Sequence, residues 1–197
     1  MATSPPLQSY MAHSNNVTIS GFSMGAFLAT NIATIYSSHF TGVGVIAGGA
    51  YGLSDIWDFE NRNMDDTALA QKVQKIVNEN FHKHEIDDPK YLKKHRVYCQ
   101  VNTGDTNIWP RKQTTILKFY ENLGASVSSD TITSQDHQWA SIPPPIPFPG
   151  RPDFKLPVDT TGHMFKHIMG LKELKPMVGD PHTQGEVIKF DQRPFVD

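Results

Sequence analysis

Val17-Thr18-Ile19-Ser20-Gly21-Phe22-Ser23-Met24-Gly25-Ala26 sets the architecture. Val17 to Ser20 is β-branched in character and bounded by Gly21, so it predicts a short strand. Residues 26–38 are rich in alanine and aliphatic side chains and predict a buried helix. Val43-Gly44-Val45-Ile46-Ala47 is a second β-rich run, closed by Gly48 and Gly49. Strand, tight glycine turn, helix, strand is a βαβ unit, and its two strands run parallel with a right-handed crossover.

The same alternation continues outward. Leu69, Val73, Ile76, Val77 and Phe81 fall at helical spacing within residues 65–81, and Asp65 and Asp66 favour the start of that helix. Arg96 to Val101 predicts a third strand, Thr114 to Leu123 a helix ending at Gly124, and Val127 to Thr133 a weak fourth strand. Residues 160–171 return to helix through Met164, Phe165, Ile168 and Met169, and Val187 to Phe190 is a last strand candidate. The fold class is therefore α/β, with a mostly parallel sheet and flanking helices. Residues 1–16 are polar and proline-bearing and read as an irregular lead-in, so the expected domain is 17–197. Within it, residues 143–157 hold seven of the fourteen prolines, which excludes a helix or a central strand and predicts a surface excursion.

Composition narrows the function. With 197 residues the chain is long enough for one domain with a real core. Its 18 basic and 20 acidic side chains leave a net charge of −2, which gives neither a nucleic-acid nor a polybasic membrane signal. No apolar run reaches the roughly 18 residues of a transmembrane helix. Met1 to Asn16 lacks the basic start and apolar stretch of a signal peptide. One cysteine, Cys99, excludes an internal disulfide and a multi-thiolate metal site. No cofactor or metal is expected, and the sequence does not fix the oligomeric state.

Gly21-Phe22-Ser23-Met24-Gly25 fits G-x-S-x-G. Five residues with three fixed positions recur by chance, and the alternative is a plain strand-to-helix turn. What gives the motif weight is a strand before it and a helix after it, the setting that lifts a nucleophilic serine to the top of a sheet. A serine hydroxyl needs a base, and the base needs a carboxylate to fix its tautomer and stabilise its cation. In α/β-hydrolases these follow the serine in the order acid, then histidine. Asp105, in the turn after the third strand, suits the acid. His137, in Ser134-Gln135-Asp136-His137-Gln138 after the fourth strand, suits the base. Asp136 is a poorer acid, because a sequence neighbour seldom points at the far ring nitrogen. His82 and His84 read as solvated. His163 and His167 are i, i+4 on one helix but lack an HExxH pattern, so a structural or exposed role fits better than a metal. His13, His39, His95 and His182 have no partner in the pattern. The Met24 N–H, next after the serine, is the expected oxyanion donor. Only about 16 residues precede the first strand, too few for the strands that ordinarily come before a nucleophile strand in this fold.

Val17 to Ala26, Tyr36 to Tyr51, Asn102-Thr-Gly-Asp-Thr-Asn107, Asp159 to Gly170 and Gly185 to Gln192 together resemble the extracellular poly(3-hydroxybutyrate) depolymerase family, a branch of the α/β-hydrolases with a circularly permuted chain. The resemblance covers most of the chain in order. It implies Ser23 as nucleophile, Asp105 as triad acid and His137 as base. It implies serine-esterase activity on polyesters of short 3-hydroxy acids, or on short acyl esters. Trp109 and Trp139 are then expected near the site mouth, either in contact with acyl groups or packed under a loop. In the family, the strands absent at the front follow the Phe-Asp-Gln segment and bring the second oxyanion donor. Here Phe190-Asp191-Gln192 is followed only by five residues, so an incomplete permuted sheet is expected. The family is secreted and carries several cysteines, one just after Gly-Gly-x-Tyr. This chain reads Gly48-Gly-Ala-Tyr-Gly-Leu-Ser54 there. The alternative expectation is a truncated or degenerate homologue with little catalysis that binds esters or complements another chain.

Overall fold

The computed structural model describes residues 5–9, 14–53, 64–133, 137–140, 158–174, 188–191 and 193. The Pro-rich segment 143–157, Asp136, His13, His182 and Val187 lie outside them. The chain divides into two units, Asn15–Leu174 and Met1–Ser14 with Lys175–Asp197. In the second of these, the Asp191 N–H donates to the Pro5 carbonyl at 3.0 Å, and Arg193 pairs with Asp191 at 2.6 Å. Residues 188–190 form no strand, so the candidate at Val187–Phe190 is not realised over its described part.

Asn15–Leu174 contains a four-stranded sheet in the order β1 (Val17–Phe22), β2 (Phe40–Ile46), β3 (Arg96–Asn102), β4 (Ser126–Ile132), with every pair parallel. α1 (Met24–Ile35), α2 (Asp66–His82) and α3 (Pro110–Asn122) make the three crossovers. Because the strand order never reverses, right-handed crossovers put all three helices on one face. There Ala26, Phe27, Val73, Val77, Ile116 and Phe119 close over Val43, Val45, Val97, Cys99 and Val101. β2 and β3 are covered on both sides, which is why they read as nearly unbroken apolar runs. α4 (Thr160–Ile168) covers the other face, with Met164 and Ile168 on Ile46 and Tyr98. It lies so close that a Cβ at Gly42 would stand 2.2 Å from the Ile168 carbonyl oxygen.

Local chemistry sets the helix ends. The Asp65 carboxylate caps α2 by accepting the Ala68 N–H at 2.8 Å. α3 starts at Pro110, four residues earlier than the apolar spacing predicts, because proline at the first helical position loses no hydrogen bond. α4 stops at Ile168, short of the predicted 171. Gly170 (φ 67°) turns left-handed there, and Arg96 Nε donates to the Ile168 carbonyl at 3.0 Å. A 3-10 helix over Pro89–Lys94 leads into β3.

Register decides where function can sit. Phe22 pairs with Ile46, Ile46 with Gln100, and Asn102 with Ile132. The strands therefore end at one level, and the turns that follow β1 and β3 lie at the carboxyl edge of the sheet, where open parallel sheets place their ligands.

Candidate active site

β1 runs two residues past the predicted Ser20 and delivers Ser23 directly into α1. The turn is sharp. Ser23 has φ 56° and ψ −123°, a conformation that side-chain-bearing residues rarely adopt, and its N–H donates to the Ile46 carbonyl at 3.0 Å. Gly21 makes the turn possible, since a Cβ there would lie 2.2 Å from the Gly25 carbonyl oxygen. Gly25 has open space where its Cβ would be, so close packing requires only the first motif glycine. Serine is a favoured N-cap residue, yet the Ser23 hydroxyl makes no capping bond to α1. It lies instead 2.6 Å from His137 Nε2.

His137 Nδ1 lies 2.9 Å from Asp105 Oδ2. The Asp105 side chain is fully buried and that of His137 is partly exposed, at 17%. Asp105 Oδ1 accepts the N–H groups of Asn107 and Ile108 at 2.9 and 2.8 Å, so the carboxylate is held by its own turn. Its Oδ2 also accepts Gln113 Nε2 at 3.1 Å. An ionised carboxylate can only accept, so Nδ1 donates and Nε2 is left to accept the Ser23 hydroxyl proton. The Met24 N–H, at the first position of α1, is one of the amides that a helix leaves without an intrahelical acceptor.

Aromatic rings flank this array. Phe22 stacks on His137 with centroids 5.0 Å apart, and on Trp139 at 6.4 Å. Trp139 is partly exposed, and its Nε1 donates to Thr161 at 3.0 Å. Trp109 occupies the N-cap of α3, with the Lys112 ammonium 5.8 Å over its ring. Ser23, Asp105, His137 and Trp139 are thus brought together, with Trp109 four residues beyond Asp105.

The remaining described histidines lie elsewhere. His163 Nδ1 pairs with Asp130 at 2.8 Å, and His167 Nε2 lies 3.1 Å from the Ser126 carbonyl, so both ring contacts tie α4 to β4. His82 and His84 are exposed, and His95 is buried. Cys99 is a buried free thiol, and burial pushes its pKa up to about 12.

Two contributors escape the sequence pattern. Gln113 grips both Asp105 and, through Oε1, the Asn102 N–H at 2.8 Å. Its signal was a polar residue on the stripe shared with Ile116 and Tyr120, one position ahead of the predicted helix. Phe22 was an unspecified position of the motif.

No family model and no curated protein matches the chain. Solved structures do. The chain is similar to a PHB depolymerase complexed with an R3HB trimer, with TM-score 0.63 and 20% identity over 86% of this chain and 55% of that one. It is also similar to PHB depolymerase from Penicillium funiculosum, with TM-score 0.66 and 21% identity over 97% of this chain and 61% of that one. The chain thus spans under two thirds of either neighbour's length. At these identities the likeness shows the α/β-hydrolase fold.

Proposed function

We propose that the chain is a serine esterase of the poly(3-hydroxybutyrate) depolymerase type, with Ser23 as nucleophile, His137 as base and Asp105 as the acid that orients it. The observation that carries this reading is the continuous array from the Ser23 hydroxyl through His137 to a buried Asp105, at a strained strand-to-helix turn. A plain turn would leave Ser23 free to cap α1. The depolymerase likeness supports short 3-hydroxyacyl polyesters as the substrate class.

Ser23 Oγ attacks the ester carbonyl while His137 Nε2 takes its proton. The Met24 N–H holds the tetrahedral oxyanion. His137 then protonates the departing alcohol, leaving an acyl-serine. His137 next takes a proton from water as it attacks the acyl carbonyl, and returns that proton to Ser23 Oγ as the ester bond to the serine breaks and the acid is released. Trp139, partly exposed and stacked beside the base through Phe22, offers an apolar surface for the acyl group.

The test compares the chain with Ser23→Ala on p-nitrophenyl butyrate and a fluorophosphonate probe. Hydrolysis and labelling that disappear in the variant are expected. A folded chain that neither hydrolyses nor labels would sink the catalytic reading and favour a degenerate homologue. Polymer granules, offered after an active result, test the substrate class.

A further inference from the structure

His137 belongs to the described stretch 137–140, which has no regular secondary structure. One side chain of β3 ties this segment down. Gln100 is completely buried. Its Nε2 donates to Asn102 Oδ1 at 2.7 Å and to the Gln138 carbonyl at 2.8 Å. Its Oε1 accepts the Ala140 N–H at 3.1 Å and the Thr160 hydroxyl at 2.8 Å. Two donor and two acceptor positions are all engaged, which fixes the orientation of the carboxamide.

Neighbours reinforce the grip. Asn102 Nδ2 is a second donor to the Gln138 carbonyl, at 2.7 Å. The Thr160 hydroxyl also lies against the Ala140 carbonyl, so the first turn of α4 faces the same segment. The gripped groups, the Gln138 carbonyl and the Ala140 N–H, stand on either side of Trp139. A two-point hold sets the rotation of the segment as well as its position. In a strand covered on both faces, a valine or isoleucine would fill the place of Gln100 without burying an amide. What an aliphatic residue cannot supply is hydrogen bonds to a segment that lacks a ladder of its own.

Resting on the serine-esterase reading above, we infer that Gln100 is a positioning residue for the reaction. With Asn102 and Thr160 it clamps the main chain of residues 138–140 so that His137 presents Nε2 to Ser23 and Nδ1 to Asp105. It acts through the backbone and touches no reacting atom. A misplacement of about 1 Å at a catalytic group costs about 10²-fold in rate.

The test uses the full chain, with Gln100→Met, Thr160→Val and Thr160→Ser. Three readouts are taken: kcat and KM on p-nitrophenyl butyrate, the rate of fluorophosphonate labelling, and the low-field proton resonance of a histidine Nδ1–H bonded to carboxylate. In a folded Gln100→Met chain, kcat and labelling fall about tenfold or more while KM stays within about twofold, and the low-field signal is lost or broadened. Thr160→Val shifts the same way and Thr160→Ser returns to wild type. A folded Gln100→Met chain that matches wild type in all three readouts overturns the clamp. Should Gln100→Met fail to fold, the threonine pair decides: Val below Ser supports the clamp, and Val equal to Ser overturns it. A wild type that neither hydrolyses nor labels sinks the esterase reading alone. The Nδ1–H signal then still decides, supporting the clamp if Gln100→Met loses it and overturning the clamp if it is unchanged.

Discussion

Ser23 combines two demands that ordinarily exclude each other: a side chain, and a backbone conformation suited to glycine. Such a residue costs of order 1–3 kcal/mol, and the fold holds it through the Ser23 N–H on Ile46 and the close approach at Gly21. Removing the Cβ therefore separates stability from chemistry. Ser23→Gly is expected to melt above Ser23→Ala by roughly 2–4 °C, for a relief of about 1 kcal/mol in a chain of this size, with both variants inactive. Thermal denaturation followed by circular dichroism checks it, and a glycine variant that melts at or below the alanine one would remove strain from the account. The position of the serine was readable, because strand, glycine and helix signals bracket it in sequence. Gln100 and Gln113 were not. Gln100, inside an apolar run, carries no local sign of partners that are main-chain groups about 40 residues further along the chain, and Gln113 showed only as a polar residue on an apolar helical stripe, with nothing to point it at Asp105.

Among the elements, α4 does most with least. Its nine residues cover the second face of the sheet through Met164 and Ile168, while Thr160 in its first turn faces residues 137–140. Met164 is fully buried, and its sulfur occupies space that a Cβ at Gly44 would enter. Truncation leaves a cavity that a rigid sheet cannot collapse. Met164→Ala is expected to cost about 2–5 kcal/mol and Met164→Leu under about 1.5 kcal/mol, read from urea midpoints. Equal midpoints for the two variants would show that α4 is not seated on the sheet as described. The parallel strands were legible because β2 and β3 are covered on both faces and so carry nearly unbroken apolar runs. Their helices were legible by spacing, with ends displaced where Pro110 or Gly170 governed. Which face α4 covers was not legible, since it depends on the clearance that Gly42 and Gly44 leave on the sheet. The 3-10 helix over Pro89–Lys94 is too short to carry a periodic pattern.

Across the molecule, the two sheet faces are unequal, and the larger core beneath α1, α2 and α3 holds a buried titratable group. His95 enters β3 with no exposed surface, and its Nε2 lies 3.0 Å from the Ser37 carbonyl. Among the described residues Nδ1 has no hydrogen-bond partner, and the Tyr120 ring lies 6.2 Å away. The Ser37 carbonyl can only accept, so Nε2 carries a proton. Burial disfavours the imidazolium more than the Ser37 carbonyl favours it, so the pKa falls below the ordinary 6.5. Once the chain unfolds, His95 regains that ordinary value. Between the two pKa values the unfolded state binds a proton that the folded state does not, so stability rises with pH across that window. Seen from neutral pH, stability is lost as pH falls through about 6.5, and the loss ends once the folded-state pKa is passed. His95→Gln keeps a donor for the Ser37 carbonyl and cannot titrate. Urea midpoints measured from about pH 8 to about pH 5 should fall in the wild type and fall less in the variant, the difference opening below about pH 6.5. Parallel curves for the two chains would assign the acid sensitivity to other groups and show that His95 accepts its proton in the folded state as readily as in the unfolded one.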